Sequence, residues 1–173
     1  MEKVKIRKAT FEDAAYISLL ARFTFTETFG KYFRDKKDLL DYYDRTFSVA
    51  KIRSSLLKEN NVFWIAFYDD LPVGYAKLKK YSPTEFIHSE RVSQLQKLYV
   101  LQDFISKKVG FLLQHEMMEE TKRLNKKHIW LSVLKSNEHA ISFYTKAGFI
   151  HIGEHAYDIG KEHFEFLVLK IEL

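Results

Sequence analysis

The sequence predicts a protein of the mixed α/β class, in which one sheet is covered by helices. Three observations support this prediction. Helical patterns follow a short first strand, aromatic and β-branched runs begin near Asn60, and strand and helix patterns alternate over the last third of the chain. The predicted order is βααα-ββ-β-α-β-α-ββ. A length of 173 residues suits one domain covering 1–173, and the 46% of hydrophobic residues can supply its core.

The first third of the chain carries one strand and three helices. Residues 4–7 alternate between apolar and polar types, which predicts a strand. Thr10 and Asp13 have the spacing of a capping box. Apolar residues at helical spacing then run over 11–29, and Gly30 is predicted to end that helix. Two further short helices are predicted at 36–47 and 48–57.

The middle of the chain predicts a hairpin followed by another strand. Residues 62–68 are aromatic and β-branched, which is typical of a strand. Residues 69–72 form a predicted turn, and 73–79 alternate as the returning strand. A loop is predicted from about 81 to 92. The next strand is predicted at 94–100.

The last third predicts alternating helices and strands. A helix is indicated by apolar residues that share one face, namely Val109, Leu113, Met117 and Leu124. A buried strand follows at 129–133. The next helix carries Ala140, Phe143, Tyr144 and Ala147 on one face and ends at Gly148. The last strands are predicted at 149–152 and 163–173, with a turn at 158–161.

Composition argues against several classes of function. The net charge of +5 comes from 28 basic residues scattered among 23 acids, which disfavours nucleic-acid binding. There is no Cys, so disulfides and thiol nucleophiles are excluded. No signal core and no run near the ~18 apolar residues of a membrane span occurs, so we expect a soluble cytoplasmic protein with no membrane partner. His151 and His155 lie four apart in a strand-like stretch, and no metal site is expected.

The most informative segment is WLSVLKSNEHAISFYTKAGF, residues 130–149. It resembles the C-terminal half of the GNAT acetyltransferases, whose pattern is a strand followed by N-x-x-A-x-x-F-Y-x-x-x-G-F. The resemblance implies the GNAT (acyl-CoA N-acyltransferase) fold with a central, mostly antiparallel mixed sheet, and acetyl-CoA as co-substrate. Every fixed position of the pattern is present: Asn137, Ala140, Phe143, Tyr144, Gly148 and Phe149.

Within this motif, Tyr144 is the candidate for chemistry. Asn137 is a suitable helix cap, and Ala140 and Phe143 suit a core face. An inward-facing Tyr hydroxyl needs a polar partner. The resemblance implies that this partner is the sulfur of coenzyme A, because a thiol pKa near ~8.5 and a phenol pKa near ~10 are close enough for proton donation. Tyr144 is therefore expected to be the general acid, with Asn137 and Phe143 beside the cofactor.

A second motif, in residues 98–113, is degenerate. In GNAT enzymes a strand is followed by Q/R-x-x-G-x-G/A, where backbone N–H groups and the positive helix end bind pyrophosphate. Here Ile105 replaces the Gln or Arg, Lys108 replaces the first Gly, and Gly110 is retained. Lys107 and Lys108 either add side-chain contacts to the pyrophosphate or are simply exposed to solvent at the start of the helix. The resemblance places the cofactor beside Leu98, Tyr99, Val100, Ile105, Ser106, Lys107, Lys108, Val109, Gly110 and Phe111, with the main chain of Leu98 and Val100 polarising the acetyl carbonyl.

Three other segments, 25–30, 63–66 and 72–78, resemble the PaiA-type branch of the family, which is associated with spermidine and spermine N-acetylation. This resemblance covers about residues 3–172 and implies a polyamine acceptor. An amine with a pKa near ~10.4 must lose a proton before it attacks. The acids that many relatives carry fall here on Gln94 and Gln96, which cannot take a proton. Glu27 is the first candidate for the base, and Glu85, His88, Glu90 and water are the alternatives.

Three functions stay open at this point. The leading one is acetyl transfer to a small-molecule primary amine, with acids at the acceptor mouth drawn from Glu27, Asp41, Asp44 and Glu85. The second applies the same chemistry to a protein N-terminus, an amino acid or an aminoglycoside-like amine. The third is a non-catalytic module that binds coenzyme A or a partner chain, suggested by the degenerate phosphate loop. A homodimer is expected by analogy with the family.

Overall fold

The computed structural model describes residues 3–173 and contains one seven-stranded sheet in the order β1-β2-β3-β4-β5-β7-β6. The strands are β1 Val4–Lys8, β2 Asn61–Tyr68, β3 Leu71–Lys79, β4 Val92–Val100, β5 His128–Leu134, β6 Ile150–Ile159 and β7 Glu162–Glu172. The α-helices are α1 Ala14–Phe29, α2 Lys36–Thr46, α3 Val49–Leu56, α4 Val109–Arg123 and α5 Glu138–Lys146. Short 3-10 helices lie at Phe11–Asp13, Gly30–Tyr32 and Gln102–Lys107. The predicted order of elements and the mixed, mostly antiparallel sheet are confirmed.

Most predicted boundaries agree within two residues, but the last hairpin differs. β6 continues from Ile150 to Ile159, whereas the sequence predicts a strand only at 149–152. Residues 153–159 include Gly153 and several polar side chains, so their strand propensity is weak. Pairing with β7 along the whole hairpin decides their conformation instead. The turn is correspondingly short and uses Gly160 at a φ of 55°.

Each face of the sheet is covered by its own core. On one face, helices α1 to α3 pack an aromatic cluster around Phe25, whose ring stacks on Phe29 with centroids 4.4 Å apart. On the other face, α4 places Leu113 and Met117 against the strands, and both side chains are fully buried. Burial on both faces explains the continuous apolar stretches of the central strands.

The sheet opens between its two middle strands. β4 and β5 form the parallel pair, and they pair only over Val92–Gln94 and His128–Trp130. Beyond this point β4 stays paired with β3 and β5 stays paired with β7, so the two strands diverge. A bulge in β4 marks the start of the divergence, because Lys77 lies opposite Lys97 while Leu78 lies opposite Leu95. Gln96 is the extra residue at this bulge.

Across residues 3–173, no helix has both the length and the apolar character required to cross a bilayer.

Candidate functional site

A cleft of about 960 Å³ lies where β4 and β5 diverge. α1 closes one side of it, and the N-termini of α4 and α5 border the other. The cleft thus lies between the Leu98 strand and the Asn137 helix, as the sequence motifs predict. Of the thirteen predicted cofactor residues, eleven line it: Leu98, Tyr99, Val100, Ile105, Ser106, Lys108, Gly110, Phe111, Asn137, Phe143 and Tyr144.

Tyr144 is positioned by the capping and the ending of α5. The Asn137 side chain accepts a hydrogen bond from the Ala140 N–H at 3.2 Å, which caps the helix start. Gly148 ends the helix region at a φ of 101°, a conformation that disfavours other residues. The Tyr144 ring packs between Phe143 and Phe149, with centroids 5.2 and 5.5 Å away. These contacts leave the side chain only 7% exposed.

The Tyr144 hydroxyl is accessible from the cleft. Tyr144 lines the cavity, and across the described part of the chain its hydroxyl forms no hydrogen bond with another protein group. Burial raises the pKa of Tyr144 above its usual value, and the nearby Tyr99 adds to this effect. The phenol therefore remains protonated at physiological pH and can donate a hydrogen bond to a group bound in the cleft.

The edge of β4 presents free backbone groups to the same cleft. The Leu101 N–H donates to the Val73 carbonyl at 2.9 Å, which fixes the alternation of the β3–β4 ladder. Since Tyr75 faces Tyr99 in this ladder, the intervening Leu98 and Val100 direct their N–H and C=O groups away from β3. No strand pairs with β4 there, so these groups are available to a ligand.

The N-terminus of α4 forms the far end of the cleft. Lys108 adopts a left-handed conformation, with a φ of 62°, directly before the helix. A Gly is favoured at such a position, and this Lys takes the same backbone shape at some cost. Ser106, Lys108 and Gly110 line the cleft, whereas Lys107 does not. The Val109 side chain is fully buried, so only its backbone can serve a ligand there.

This end of the cleft fits a pyrophosphate-bearing ligand. α4 is 15 residues long, and its first N–H groups have no carbonyl of a preceding turn to bond. A Cβ added at Gly110 would meet Phe143 at 3.7 Å and Leu98 at 3.8 Å, which are ordinary contacts. Because Ser106, Lys108 and Gly110 line the cleft, phosphate oxygens bound there could approach the backbone N–H groups of the helix start. The elongated cleft from Gly110 to Tyr144 suits a coenzyme A molecule.

A further side of the cleft is bordered by α1. The Glu27 carboxylate accepts a hydrogen bond from the Gln102 N–H at 3.1 Å and faces the cavity. The Tyr32 hydroxyl is hydrogen-bonded to Ser136 Oγ at 2.9 Å, which connects the end of α1 to the loop before α5. This hydrogen bond lowers the pKa of Tyr32.

The other acids considered for the acceptor site lie elsewhere. Asp41 pairs with Lys37 at 2.6 Å, and Glu90 accepts a hydrogen bond from the Tyr81 hydroxyl at 3.0 Å. None of Asp41, Asp44, Glu85, His88 and Glu90 lines the cleft. Across residues 3–173, no group of three or more His, Cys, Asp or Glu side chains could hold a metal ion.

The structure also brings to the cleft residues that the sequence did not indicate. Ser132, Leu134 and Phe166 line its wall on the β5 side. Ser132 Oγ is hydrogen-bonded to His155 Nε2 at 2.7 Å, and the His155 ring stacks on Phe166 with centroids 5.1 Å apart. The Ser and His are 23 positions apart in the chain. Only the pairing of β5, β7 and β6 brings them together.

Comparison with known proteins agrees with this geometry. The model of the acetyltransferase (GNAT) family matches residues 19–149. An uncharacterized N-acetyltransferase from the pepI 3' region of Lactobacillus delbrueckii subsp. lactis is 25% identical over 98% of both chains. An uncharacterized N-acetyltransferase of Mycobacterium tuberculosis is 26% identical over 78% of this chain and 82% of its own length.

Solved structures share the fold. The PaiA N-acetyltransferase of Thermoplasma acidophilum, in complex with coenzyme A, superposes with a TM-score of 0.76 at 22% identity and covers 98% of this chain and 99% of its own. A probable acetyltransferase from Staphylococcus epidermidis gives 0.73 at 18% identity over 98% of both chains. Because the family model covers most of the chain and its motif residues meet at one cleft, this chain belongs to the acetyltransferase (GNAT) family and is an acyl-CoA-dependent N-acetyltransferase.

Proposed function

We propose that this enzyme transfers an acetyl group from acetyl-CoA to a primary amine by direct attack, with Tyr144 as the general acid. The observation that carries the proposal is the Tyr144 hydroxyl, which belongs to a side chain only 7% exposed, lines the cleft and has no protein hydrogen-bond partner among residues 3–173. Its oxygen is not one of the buried polar atoms that lack a partner, so the hydroxyl is open to the cleft and can donate a hydrogen bond to a ligand there. The bound thioester sulfur would be that ligand.

Three parts of the chain would hold the co-substrate. Acetyl-CoA, when bound, supplies an activated thioester. The backbone N–H groups at the start of α4, around Gly110, would bind its pyrophosphate. The free β4 edge at Leu98 and Val100 would bind the extended arm and orient the acetyl carbonyl. Holding both substrates in one cleft contributes much of the rate enhancement through proximity.

Tyr144 would hold its proton at the phenol oxygen and donate it towards the sulfur that leaves. A thiol has a pKa near ~8.5, and burial raises the pKa of the Tyr144 phenol; burial in the same cleft would also raise the pKa of the coenzyme A thiol, for the same reason. The hydrogen bond from Tyr144 would therefore stabilise the charge developing on the sulfur, and transfer of the proton would follow as that charge grows. Replacing the hydroxyl removes the donor without changing the packing of the ring.

Glu27 would accept the proton of the attacking amine. It lines the cleft on the side of α1, and its hydrogen bond from Gln102 holds it in place. Glu138 also lines the cleft, but it lies in the first turn of α5, on the α5 side of the cleft. The other acids named from the sequence do not line the cavity, which leaves Glu27 and water as the candidates that the geometry supports.

A polyamine is one candidate acceptor, supported by the resemblance to the PaiA branch and by the fold shared with the PaiA enzyme. The cleft does not have a surplus of acids to attract a polycation, because Glu27 and Glu138 are matched there by Lys31 and Lys108. An amino acid, a protein N-terminus and an aminoglycoside-like amine are therefore tested beside it.

The proposal is tested by release of free thiol from acetyl-CoA with and without a panel of amines. We expect amine-dependent release and acetylated amine in equal amounts. Calorimetry with acetyl-CoA and desulfo-CoA measures binding separately, and the analogue without sulfur should bind more weakly because Tyr144 loses its partner. Binding without turnover of any amine would favour the non-catalytic module and contradict the proposal.

A further inference from the structure

A second cavity, of about 380 Å³, lies next to the cleft on the face of the sheet covered by α1 to α3. Four lysines line it, Lys51 and Lys58 from α3 and the residues after it, and Lys77 and Lys79 from β3. Serine and asparagine side chains complete the wall. We refer to this cavity, defined by its four lysines, as the lysine pocket.

The lysine pocket has no negative charge to balance it. Six lysines elsewhere in the protein form ion pairs with a carboxylate within 4.0 Å. Within the described range 3–173, none of the four pocket lysines does so, and no Asp or Glu lines the pocket. Four lysines around one cavity, with hydroxyl and amide groups between them, make a site suited to an anion.

Lys77, the innermost lysine, shows that bringing these side chains together is energetically unfavourable. Lys77 is half-buried, and its Nζ lies 5.4 Å from the centre of the Phe63 ring. It faces Lys97 across the β3–β4 pair. Burial, together with the charges of Lys79, Lys97, Lys58 and Lys51, lowers the pKa of Lys77 to about 7. A bound anion would offset both the burial and the repulsion.

Gln96 connects the lysine pocket to the cleft. It lines both cavities, and it is the extra residue at the β4 bulge, where β4 and β5 begin to diverge. In the proposed binding mode the pyrophosphate lies at the start of α4 and the arm follows β4 from Val100 to Leu98, so Gln96 would lie beyond the acetyl end, where the acceptor approaches. Because one residue lines both cavities, they are neighbours, and an acceptor that extends past Gln96 would enter the lysine pocket.

We propose that the lysine pocket binds an anionic group, a carboxylate or a phosphate, of the acceptor whose amine is acetylated in the cleft. The inference rests on the proposed acetyl transfer and narrows its substrate class to amines that also carry a negative charge. The same lysines would repel a polyamine, since every group brought near them would be positive.

The first experiment compares acceptors in matched pairs with the wild-type enzyme and saturating acetyl-CoA. Aminobutyrate, aminohexanoate and O-phosphoethanolamine are compared with butylamine, hexylamine and ethanolamine, and spermidine is the polycation. We expect kcat/KM to be about ten-fold or more higher for the anionic member of at least one pair, as for a charge-assisted hydrogen bond. The carboxylate series also reports the distance between the two cavities, and the phosphate pair distinguishes the two anions.

The second experiment tests whether the preference for anionic acceptors comes from the lysine pocket. Lys77→Met keeps the aliphatic packing against Phe63 and removes the charge, and Lys51→Ala removes a charge from the exposed rim. Both should raise KM for the preferred anionic acceptor by about ten-fold, with a much smaller change in kcat. Lys127→Ala removes one exposed charge at the start of β5, outside both cavities, and should change neither constant.

The outcomes separate this inference from the proposed function. Equal or better use of the neutral and polycationic amines, unaffected by Lys77→Met and Lys51→Ala, overturns the lysine-pocket inference and leaves acetyl transfer intact. If no amine is acetylated, calorimetry with O-phosphoethanolamine and aminohexanoate on the coenzyme A-bound protein tests whether the lysine pocket binds an anion. Binding that is weakened by Lys51→Ala would retain the pocket but contradict the acetyl transfer, and absence of binding would contradict both.

Discussion

Helices α4 and α5 both border the cleft, and the geometry of each depends on the amino-acid sequence in a different way. At α5, side chains define the site, because the cap at Asn137, the phenol of Tyr144 and the turn at Gly148 all depend on residue type. At α4, the backbone defines the site, and Lys108 adopts the left-handed shape where Gly would be favoured. The comparison shows that a site made of N–H groups keeps its geometry after its sequence motif has degenerated, whereas a site made of side chains does not.

The largest expected effect is a loss of activity at α5, where side chains define the site. Tyr144→Phe should lower kcat/KM by about 100- to 1,000-fold, within the range for loss of a general acid, with little change in stability. Burial raises the pKa of Tyr144, so ionisation of the phenol should cause no loss of wild-type activity up to about pH 10. The measurement is thiol release across pH, with Tyr16→Phe, an exposed tyrosine on α1, as the matched control.

The next effect concerns the end of α5. Gly148→Ala should lower the free energy of unfolding by about 1–2 kcal/mol, because a φ of 101° is strained for any residue with a Cβ. Urea denaturation measures the change. Gly110→Ala is the control, since its Cβ would make only ordinary contacts at 3.7 and 3.8 Å. Equal stability losses in both variants would show that the α5 end is not specified by its Gly.

The start of α5 should give a smaller effect. Asn137→Ala removes the side-chain acceptor for the Ala140 N–H and should cost about 1 kcal/mol of stability. Asn137→Ser restores a capping oxygen and should recover most of that loss. Chemical denaturation of the two variants side by side checks the prediction, and a failure of Ser to restore stability would exclude capping as the reason.

The smallest expected effects are changes in stability and in coenzyme A affinity at the start of α4, where the backbone defines the site. Lys108→Gly should stabilise the fold by about 0.5–1 kcal/mol by relieving the left-handed Lys, while the dissociation constant for coenzyme A changes less than about three-fold. Lys107→Gly makes the same charge change in a helical turn and should destabilise instead. Calorimetry with coenzyme A measures the dissociation constant of each variant. A ten-fold loss of affinity confined to Lys108→Gly would show that the side chain, and not the backbone, binds the phosphates.

The same distinction explains how much could be predicted from the sequence. Hydrophobic periodicity predicted the order of the elements, and the motif over 137–149 predicted the α5 side of the cleft. The β4 bulge at Gln96 could not be predicted, because it depends on the register between β3 and β4. Ser132 and His155 meet through strand pairing over 23 residues, which leaves no local pattern. The extent of β6 was missed because pairing with β7 outweighs its weak propensity.

The most direct test of the account is a crystal structure of the enzyme with acetyl-CoA. The account predicts that the thioester lies between β4 and α5, with its sulfur within hydrogen-bond distance of the Tyr144 hydroxyl and its pyrophosphate on the backbone N–H groups around Gly110. A thioester bound elsewhere, or a Tyr144 hydroxyl that is turned into the core away from the sulfur, would contradict it.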